Sequence, residues 1–173
     1  MTRAHAAPTG KIVGRVINQA THKGEAGVTV TLSRGTSSGT AGTEKTQTKS
    51  DGSYSFTGLK TGQDLFYAVD VEFQGGRFAG GVISLPSNTN KTPVVQTKLR
   101  VWPTTTDPQV IQLPRDDLFA NQTGDTLGII ESVTVFNSSH KAYIGRGREN
   151  GGKSSTPSIA FSLPKNVALT ENG

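Results

Sequence analysis

The chain has 173 residues and a formal net charge of +5, and it contains 21 glycines and no cysteine. The missing thiols exclude disulfides, thiolate metal sites and cysteine nucleophiles, and no segment approaches the run of about 20 apolar residues that spans a bilayer. Abundant glycine, threonine and serine predict an all-β fold in which short strands alternate with tight turns.

Positive charge is concentrated in the first half of the chain. Residues 1–100 carry 12 basic and 6 acidic side chains, whereas residues 101–173 carry 6 basic and 7 acidic ones. A basic region favours anionic partners such as wall polymers, lipid head groups or nucleic acid. The cations are spaced singly, however, which is typical of solvated strand faces and protected sheet edges. We therefore expect no nucleic-acid partner.

Residues 1–10 are predicted to lie outside the folded part of the chain. They contain Ala4-His5-Ala6, which is similar to the cleavage site of a secretory signal but has no apolar segment before it. Two interpretations stay open. The segment is either the tail of a trimmed signal peptide, which would place the protein outside the cytoplasm, or an ordinary disordered start.

Residues 11–102 show the alternation of apolar and polar side chains that predicts strands with one buried face. The longest pattern runs from Leu65 to Phe73, and Gln74-Gly75-Gly76-Arg77 follows it as a predicted hairpin turn. The glycine-rich stretch at 35–43 is predicted to be a flexible loop. The other strands of this region are predicted at 11–18, 28–33, 46–49, 53–56, 78–83 and 94–102.

Residues 103–109 are predicted to form a linker, because Pro103 and Pro108 fix φ and remove hydrogen-bond donors. Residues 110–173 are then predicted to form a second β-rich domain, whose longest strand lies at 127–137. Its shorter strands are predicted at 110–113, 117–120, 141–144 and 158–163. Short strands with frequent turn signals, and no lasting helical stripe, are typical of a sandwich or barrel.

Several motifs of the first half resemble those of the carboxypeptidase regulatory-like domain, over about residues 11–100. They are Gly14-Arg15-Val16, the run from Gly27 to Leu32, and Thr48-Lys49-Ser50-Asp51-Gly52-Ser53-Tyr54-Ser55-Phe56, followed by Leu59 and Gly62. The resemblance implies a transthyretin-like, seven-stranded Greek-key β-sandwich. It also implies that Asp51-Gly52 makes a turn and that Tyr54 and Phe56 enter the core.

Four segments of the second half are similar to a β-rich region that follows such a domain in some bacterial envelope proteins and precedes a C-terminal membrane anchor. They are Thr105 to Pro108, Glu131 to Asn137, Ala142 to Gly145 and Phe161 to Pro164. The resemblance implies a second β-sandwich-like domain that this chain leaves incomplete. It also implies association with the membrane, through a missing anchor or a partner subunit, and a role in folding support, adhesion or assembly.

Residues Gly147 to Ser154 match the phosphate-loop pattern G-x-x-x-x-G-K-S. Phosphate binding by such a loop needs a strand before it and a helix after it, so that backbone amides converge on the anion. Here Ser155-Thr156-Pro157 and an alternating strand pattern follow instead. A glycine-rich hairpin loop is therefore predicted, and nucleotide binding is a remote alternative.

The other polar residues show no spacing typical of a metal or catalytic site. His5, His22 and His140 are far apart in sequence and are expected in surface loops. Asp116 and Asp117 would point to opposite faces of a strand, so they cannot act as a paired acid and base. We predict that the protein is not an enzyme, and we assign no catalytic, cofactor-binding or metal-binding residue.

The sequence thus predicts a non-catalytic, extracytoplasmic module that interacts with a protein partner in the cell envelope, with an exposed edge strand as the natural contact. The alternative is a module that binds polysaccharide or another wall polymer, which a surface cluster of coplanar aromatic side chains would favour. The large aromatic residues are instead expected to pack in the core and between sheets. These residues are Phe66, Tyr67, Phe78 and Trp102. The oligomeric state stays open.

Overall fold

The computed structural model describes residues 9–37, 39–87 and 92–145. These residues fall into two compact units, of which the first comprises 9–104 and 139–142 and the second comprises 105–138 and 143–145. The regular structure of both units is β-strand apart from one short 3-10 helix in the described residues, so the predicted all-β fold class is confirmed. The limits predicted for the domains and the linker stay predictions.

One layer of the first unit is a three-stranded sheet with the order β4-β1-β7. β1 (Thr9–Asn18) lies in the middle, antiparallel to β4 (Ser53–Lys60) and parallel to β7 (Val94–Val101). Because β1 is paired on both sides, the outer edges of this sheet belong to β4 and β7.

The other layer is a four-stranded antiparallel sheet with the order β3-β2-β5-β6. Its strands are β2 (Thr29–Thr36), β3 (Gly39–Gln47), β5 (Phe66–Phe73) and β6 (Gly76–Ser84). The predicted hairpin turn joins β5 to β6, and both Gln74 and Gly75 have positive φ, at 48° and 76°. Two central residues with positive φ are the geometry of a type I′ turn, which matches the twist of the strands on either side.

The core of the first unit lies between the two sheets and is built from alternate residues of their strands. Tyr54 and Phe56 are buried, as the resemblance implied, and Tyr67, Val69 and Val71 are buried on β5, as the alternation predicted. The other buried apolar residues of this core are Ile12, Val16, Val30, Leu32, Leu59, Ile83, Leu85, Leu99 and Val101. Seven strands around one apolar layer form the predicted sandwich.

A turn at Asp51-Gly52 leads the chain into β4. The carboxylate of Asp51 accepts a hydrogen bond from the amide of Ser53 at 2.9 Å, and the amide of Gly52 donates to the carbonyl of Lys49 at 2.8 Å. Gly52 has a φ of 81°, a left-handed conformation that glycine adopts without steric cost. The turn places Tyr54 and Phe56 on the inner face of β4.

The predicted flexible loop at 35–43 is wrong for the residues of that stretch that the structure describes. β2 continues to Thr36, and β3 begins at Gly39 and pairs with it in antiparallel register. Backbone hydrogen bonds to β2 stabilise this glycine-rich segment as a strand although its side chains favour a loop. Of the short strand predicted at 46–49, residues 46 and 47 form the end of β3, and residues 48 and 49 lie beyond it.

The second unit contains a long antiparallel hairpin made of β9 (Ile111–Thr123) and β10 (Thr126–Asn137). The prediction of separate strands at 110–113 and 117–120 is wrong, because β9 runs through both. Pro114 is tolerated at a bulge, where Leu113 and Pro114 both face Val135 and the ladder is interrupted.

The segment predicted as a linker contains regular structure. Thr104–Thr105 forms β8, which pairs with β11 (Ala142–Tyr143), and Pro108–Val110 forms a short 3-10 helix capped by the carboxylate of Asp107. Pro108 is the first residue of this helix, where the backbone amide has no hydrogen-bond partner within the helix, so a proline there does not disrupt it. The strand predicted at 158–163 lies outside the described residues, and the second β-sandwich stays a prediction.

Candidate interaction surfaces

The histidines and the Asp116–Asp117 pair considered in the sequence analysis form no cluster in the described part of the chain. Within 9–37, 39–87 and 92–145, no three His, Cys, Asp or Glu side chains form a group that could hold a metal ion. His22 and His140 are exposed, whereas His5 and the phosphate-loop match at Gly147–Ser154 lie outside the described residues. Asp116 and Asp117 face Val133 and Ser132 respectively, and so lie on opposite faces of the hairpin.

The apolar hairpin, which we define as β9 and β10, exposes large apolar side chains on both faces. Leu118 and Ile130 are 65% and 69% exposed. The other exposed members are Leu113, Phe119, Leu127, Ile129, Val135 and Phe136. Large contiguous apolar patches on a folded protein usually mark an interaction surface.

The register of the apolar hairpin shows how these side chains are grouped. Ala120 lies opposite Ile129 on one face of the hairpin. Leu118 is two positions before Ala120 and Leu127 is two positions before Ile129, so both side chains lie on the same face as that pair. On the other face, Phe119 lies opposite Ile130. Each strand pairs on one side only within the described residues, so each also presents an unpaired backbone edge.

A second candidate surface is an open groove of about 560 Å³ on the three-stranded sheet. We call it the basic groove because four cationic side chains and no carboxylate line it. Its basic residues are Lys11 and Arg15 of β1, Lys98 of β7, and Lys49. Its polar residues are Ser53, Tyr54, Ser55, Gln96 and Thr97.

Arg15 is held in place at one end of the basic groove. Its Nε and Nη2 atoms donate hydrogen bonds of 3.1 and 2.6 Å to the backbone carbonyl of Asp51. The Asp51 carboxylate does not line the groove. Its pKa is lowered chiefly by the hydrogen bond from the Ser53 side chain and by the Ser53 amide, with a smaller contribution from Arg15. At neutral pH this carboxylate is therefore charged.

The side chains of Tyr54 and Thr97 meet on the inner face of the three-stranded sheet, opposite the face that carries the cations of the basic groove. Their hydroxyl oxygens are 2.6 Å apart, and the Thr97 hydroxyl also donates to the carbonyl of Val13 at 3.2 Å. Burial raises the pKa of the Tyr54 phenol, against the smaller lowering effect of the bond to Thr97. The phenol is thus a neutral hydrogen-bonding group at physiological pH.

The aromatic side chains follow the prediction in part. Tyr67 is buried and Phe78 is half-buried, but Phe66 and Trp102 are exposed. The Phe78 and Trp102 rings have centroids 6.0 Å apart and are tilted by 30°, so they pack against each other without forming a coplanar platform. Among the described residues, no helix is long and apolar enough to cross a membrane.

Residues 10–75 match the family described as "BOS complex subunit NOMO1-like, second beta sandwich domain". This is a β-sandwich domain of the transthyretin or carboxypeptidase-regulatory-like type. The resemblance predicted from the motifs of the first half is therefore confirmed for these residues. The resemblance of the second half to an envelope protein stays a prediction. No curated protein matches this sequence.

Three solved structures are similar to the chain at low identity. The full-length major pilin SpaD from Corynebacterium diphtheriae is 14% identical, with a TM-score of 0.38 over 73% of this chain and 47% of the pilin. A dioxygenase domain from Streptomyces sp. SirexAA-E is 16% identical, with a TM-score of 0.35 over 59% of this chain and 83% of that one.

The third is the major plantain pollen allergen Pla l 1, which is 14% identical, with a TM-score of 0.36 over 53% of this chain and 93% of the allergen. The chain spans about half the length of the pilin. At these TM-scores, none of the three similarities bears on function.

Proposed function

We propose that the protein is a non-catalytic, extracytoplasmic interaction module that binds a protein partner of the cell envelope through the apolar hairpin. The observation that carries this proposal is the exposure of eight large apolar side chains on β9 and β10. Burying such side chains against a partner releases roughly 25 cal/mol per Å² of apolar surface, which is the main driving force of protein association.

The geometry of the hairpin supports the same function. A two-stranded hairpin is at best marginally stable in water unless a third strand or another layer covers it. Both β9 and β10 have an unpaired edge in the described part of the chain, so a partner strand could add to either one. The unpaired backbone edge would position the partner, and the apolar side chains would supply the affinity.

Two further observations support an assembly role outside the cytoplasm. The family that matches residues 10–75 is named for a subunit of a complex, and subunits bind other proteins. The Ala4-His5-Ala6 pattern is similar to the end of a secretory signal. The predicted linker at 103–109 would let residues 11–102 and 110–173 serve as separate domains of such a subunit.

Site-specific photo-cross-linking in native envelopes tests the proposal. A benzophenone amino acid replaces Leu118 or Ile129 in the full chain, and Val82 serves as the control because it is 75% exposed but lies on β6 of the first unit. We expect one adduct of the same mass from both hairpin positions and none from position 82. Mass spectrometry then identifies the partner.

Two outcomes would overturn the proposal. Equal labelling from positions 82, 118 and 129 would mean that the hairpin is merely exposed. Adducts formed only with residues 146–173 of the same chain, or only with a second copy, would mean that no other protein covers the hairpin.

Polysaccharide binding is the second candidate function, and the observation that favours it is the basic groove. The described aromatic side chains form no coplanar platform, so stacking on neutral sugars has no support. The nucleotide alternative rests on Gly147–Ser154 alone, and no heat on titration with ATP and Mg²⁺ would eliminate it.

A further inference from the structure

The three strands around the basic groove carry only positive charges. β1, β4 and β7 contain five basic residues and no acidic one, namely Lys11, Arg15, Lys60, Lys98 and Arg100. The strands of the four-stranded sheet carry three basic and three acidic residues, so their charges balance. The excess positive charge of the first unit's strands is therefore confined to one sheet.

We infer that the basic groove binds an anionic polysaccharide, a linear chain of sugars that carry carboxylate groups. This inference deepens the second candidate function and is independent of the apolar hairpin. Four cations without a carboxylate among them create a local positive potential that attracts and orients such a polymer.

The spacing of the cations suits an extended polymer. Arg15 and Lys98 are register partners on adjacent strands, about 4.8 Å apart at the backbone, so both cations lie at the same level along β1, where Arg15 also donates to the carbonyl of Asp51. Lys11 precedes Arg15 by four residues on the same strand, which is about 13 Å. The groove thus presents positive charge at separated points along β1, as a polymer with repeated charges requires.

The polar lining of the groove suits sugars. The hydroxyls of Ser53 and Ser55 and the amide of Gln96 line it between the cations. Hydroxyl and amide side chains both donate and accept hydrogen bonds, as sugar hydroxyls do. They can therefore contact the neutral parts of a sugar unit while the cations contact its charged group.

An acidic protein segment fits the groove less well. A peptide that binds as an added strand needs an unpaired edge, but β1 at the centre of this groove pairs on both sides. A peptide that binds through apolar anchors would find one aliphatic side chain, that of Val13, among the lining residues. Neither of these two modes of peptide recognition is available on this face, so an acidic segment would have to bind through its charges alone.

A binding assay with matched charge variants tests the inference. The probe is fluorescent polygalacturonate, measured by anisotropy with the full chain at low salt. The test variant is Lys11→Gln/Lys98→Gln, and the control is Lys23→Gln/Lys45→Gln, which removes the same charge from exposed lysines outside the groove. All four lysines are solvent-accessible, so both variants should fold, and circular dichroism checks this.

We expect the test variant to bind polygalacturonate about ten-fold more weakly, because it loses two of the four cations that line the groove. The control should bind within about two-fold of wild type, neutral dextran should not bind, and affinity should fall with added salt. A variant of the apolar hairpin, Leu118→Ser/Ile129→Ser, should bind like wild type, which separates this inference from the proposed protein partner.

Three results would overturn the inference. Equal loss in the test and control variants would show attraction by net charge alone. Absence of binding to polygalacturonate would exclude the ligand class. Tighter binding to polyaspartate or to vesicles with anionic lipids, with the same dependence on Lys11 and Lys98, would assign the groove to a protein or a membrane instead.

Discussion

The hydroxyl of Tyr54 lies 2.6 Å from the hydroxyl of Thr97, although these residues belong to the two edge strands of one sheet. Gly14, on the strand between them, is the register partner of both. The contact requires the absence of a side chain there, because a Cβ on Gly14 would lie 2.6 Å from the Cζ of Tyr54. Tyr54 thus connects all three strands beneath the basic groove.

Gly14→Ala should therefore destabilise the first unit by about 1–3 kcal/mol, the usual cost of overpacking. Urea denaturation followed by circular dichroism measures the change. The control is Gly81→Ala on β6, where no heavy atom lies within 4 Å of the added Cβ. Equal effects of the two substitutions would show that the crowding at Gly14 does not matter.

Tyr54→Phe should change the stability of the first unit in a pH-dependent way. At pH 7 the loss of the hydrogen bond to Thr97 should cost about 0.5–1.5 kcal/mol. Burial raises the pKa of Tyr54 in the folded state, so folding favours the protonated phenol. That contribution is complete below the unfolded-state pKa of about 10 and is lost as the pH rises through the folded-state pKa.

The free energy of unfolding of wild type should therefore fall more steeply above pH 10 than that of Tyr54→Phe. Chemical denaturation between pH 7 and about 11 measures both curves. Tyr67, whose pKa is also raised chiefly by burial, is present in both proteins and contributes equally to each. If the free energies of unfolding of the two proteins fell in parallel above pH 10, burial would not raise the pKa of Tyr54.

The first half of the fold was predictable because its signals are local. Asp51-Gly52 makes its turn through hydrogen bonds to residues two or three positions away, and period-two alternation then places Tyr54 and Phe56 in the core. Asp70 shows the limit of this reasoning. Alternation predicted that it faces away from Val69 and Val71, but not that an arginine would cover it there.

The second half was less predictable because alternation shows which residues share a face and not what covers that face. Leu127 and Ile129 are spaced two residues apart, as on the buried face of a strand, yet both are exposed. The strands predicted separately at 110–113 and 117–120 belong to one strand, because the bulge opposite Val135 accommodates Pro114 between them. The sequence does contain a signal for the basic groove, because β1, β4 and β7 have no acidic residue. This signal could not be interpreted from the sequence alone, because it does not show that the three strands are neighbours in one sheet.

Gly52 and Gly58 form a matched pair for testing the turn before β4. Both have a positive φ, at 81° and 70°. A Cβ on Gly52 would lie 2.7 Å from both the Cα of Gly24 and the carbonyl oxygen of Val16, whereas a Cβ on Gly58 meets no heavy atom within 4 Å. Gly58→Ala should cost only the left-handed backbone strain, about 1–2 kcal/mol.

Gly52→Ala should cost clearly more than Gly58→Ala, because the crowding adds to the same strain. The difference between the two urea midpoints measures the steric part alone. Equal midpoints would mean that the loop containing Gly24 moves aside freely.

The Asp70–Arg77 ion pair should be more strongly coupled than a surface pair. Asp70 is 7% exposed and accepts hydrogen bonds of 3.1 and 2.8 Å from Nε and Nη2 of Arg77. Arg77→Met should cost about 1–3 kcal/mol, because a largely buried carboxylate loses its partner. The double variant Arg77→Met/Asp70→Asn should lose less stability than Arg77→Met alone, because it leaves no buried charge without a partner.

A double-mutant cycle measures this coupling, and the Arg115–Asp117 pair of β9 is the matched control. The control side chains are 71% and 34% exposed, compared with 67% and 10% for Arg77 and Asp70, so the carboxylate is much more buried in the test pair than in the control. We expect a coupling energy above about 1 kcal/mol for Asp70–Arg77 and below it for Arg115–Asp117. Similar coupling energies for the two pairs would mean that water reaches the Asp70 carboxylate beside the exposed arginine. The attraction between Asp70 and Arg77 would then be screened as in a surface ion pair.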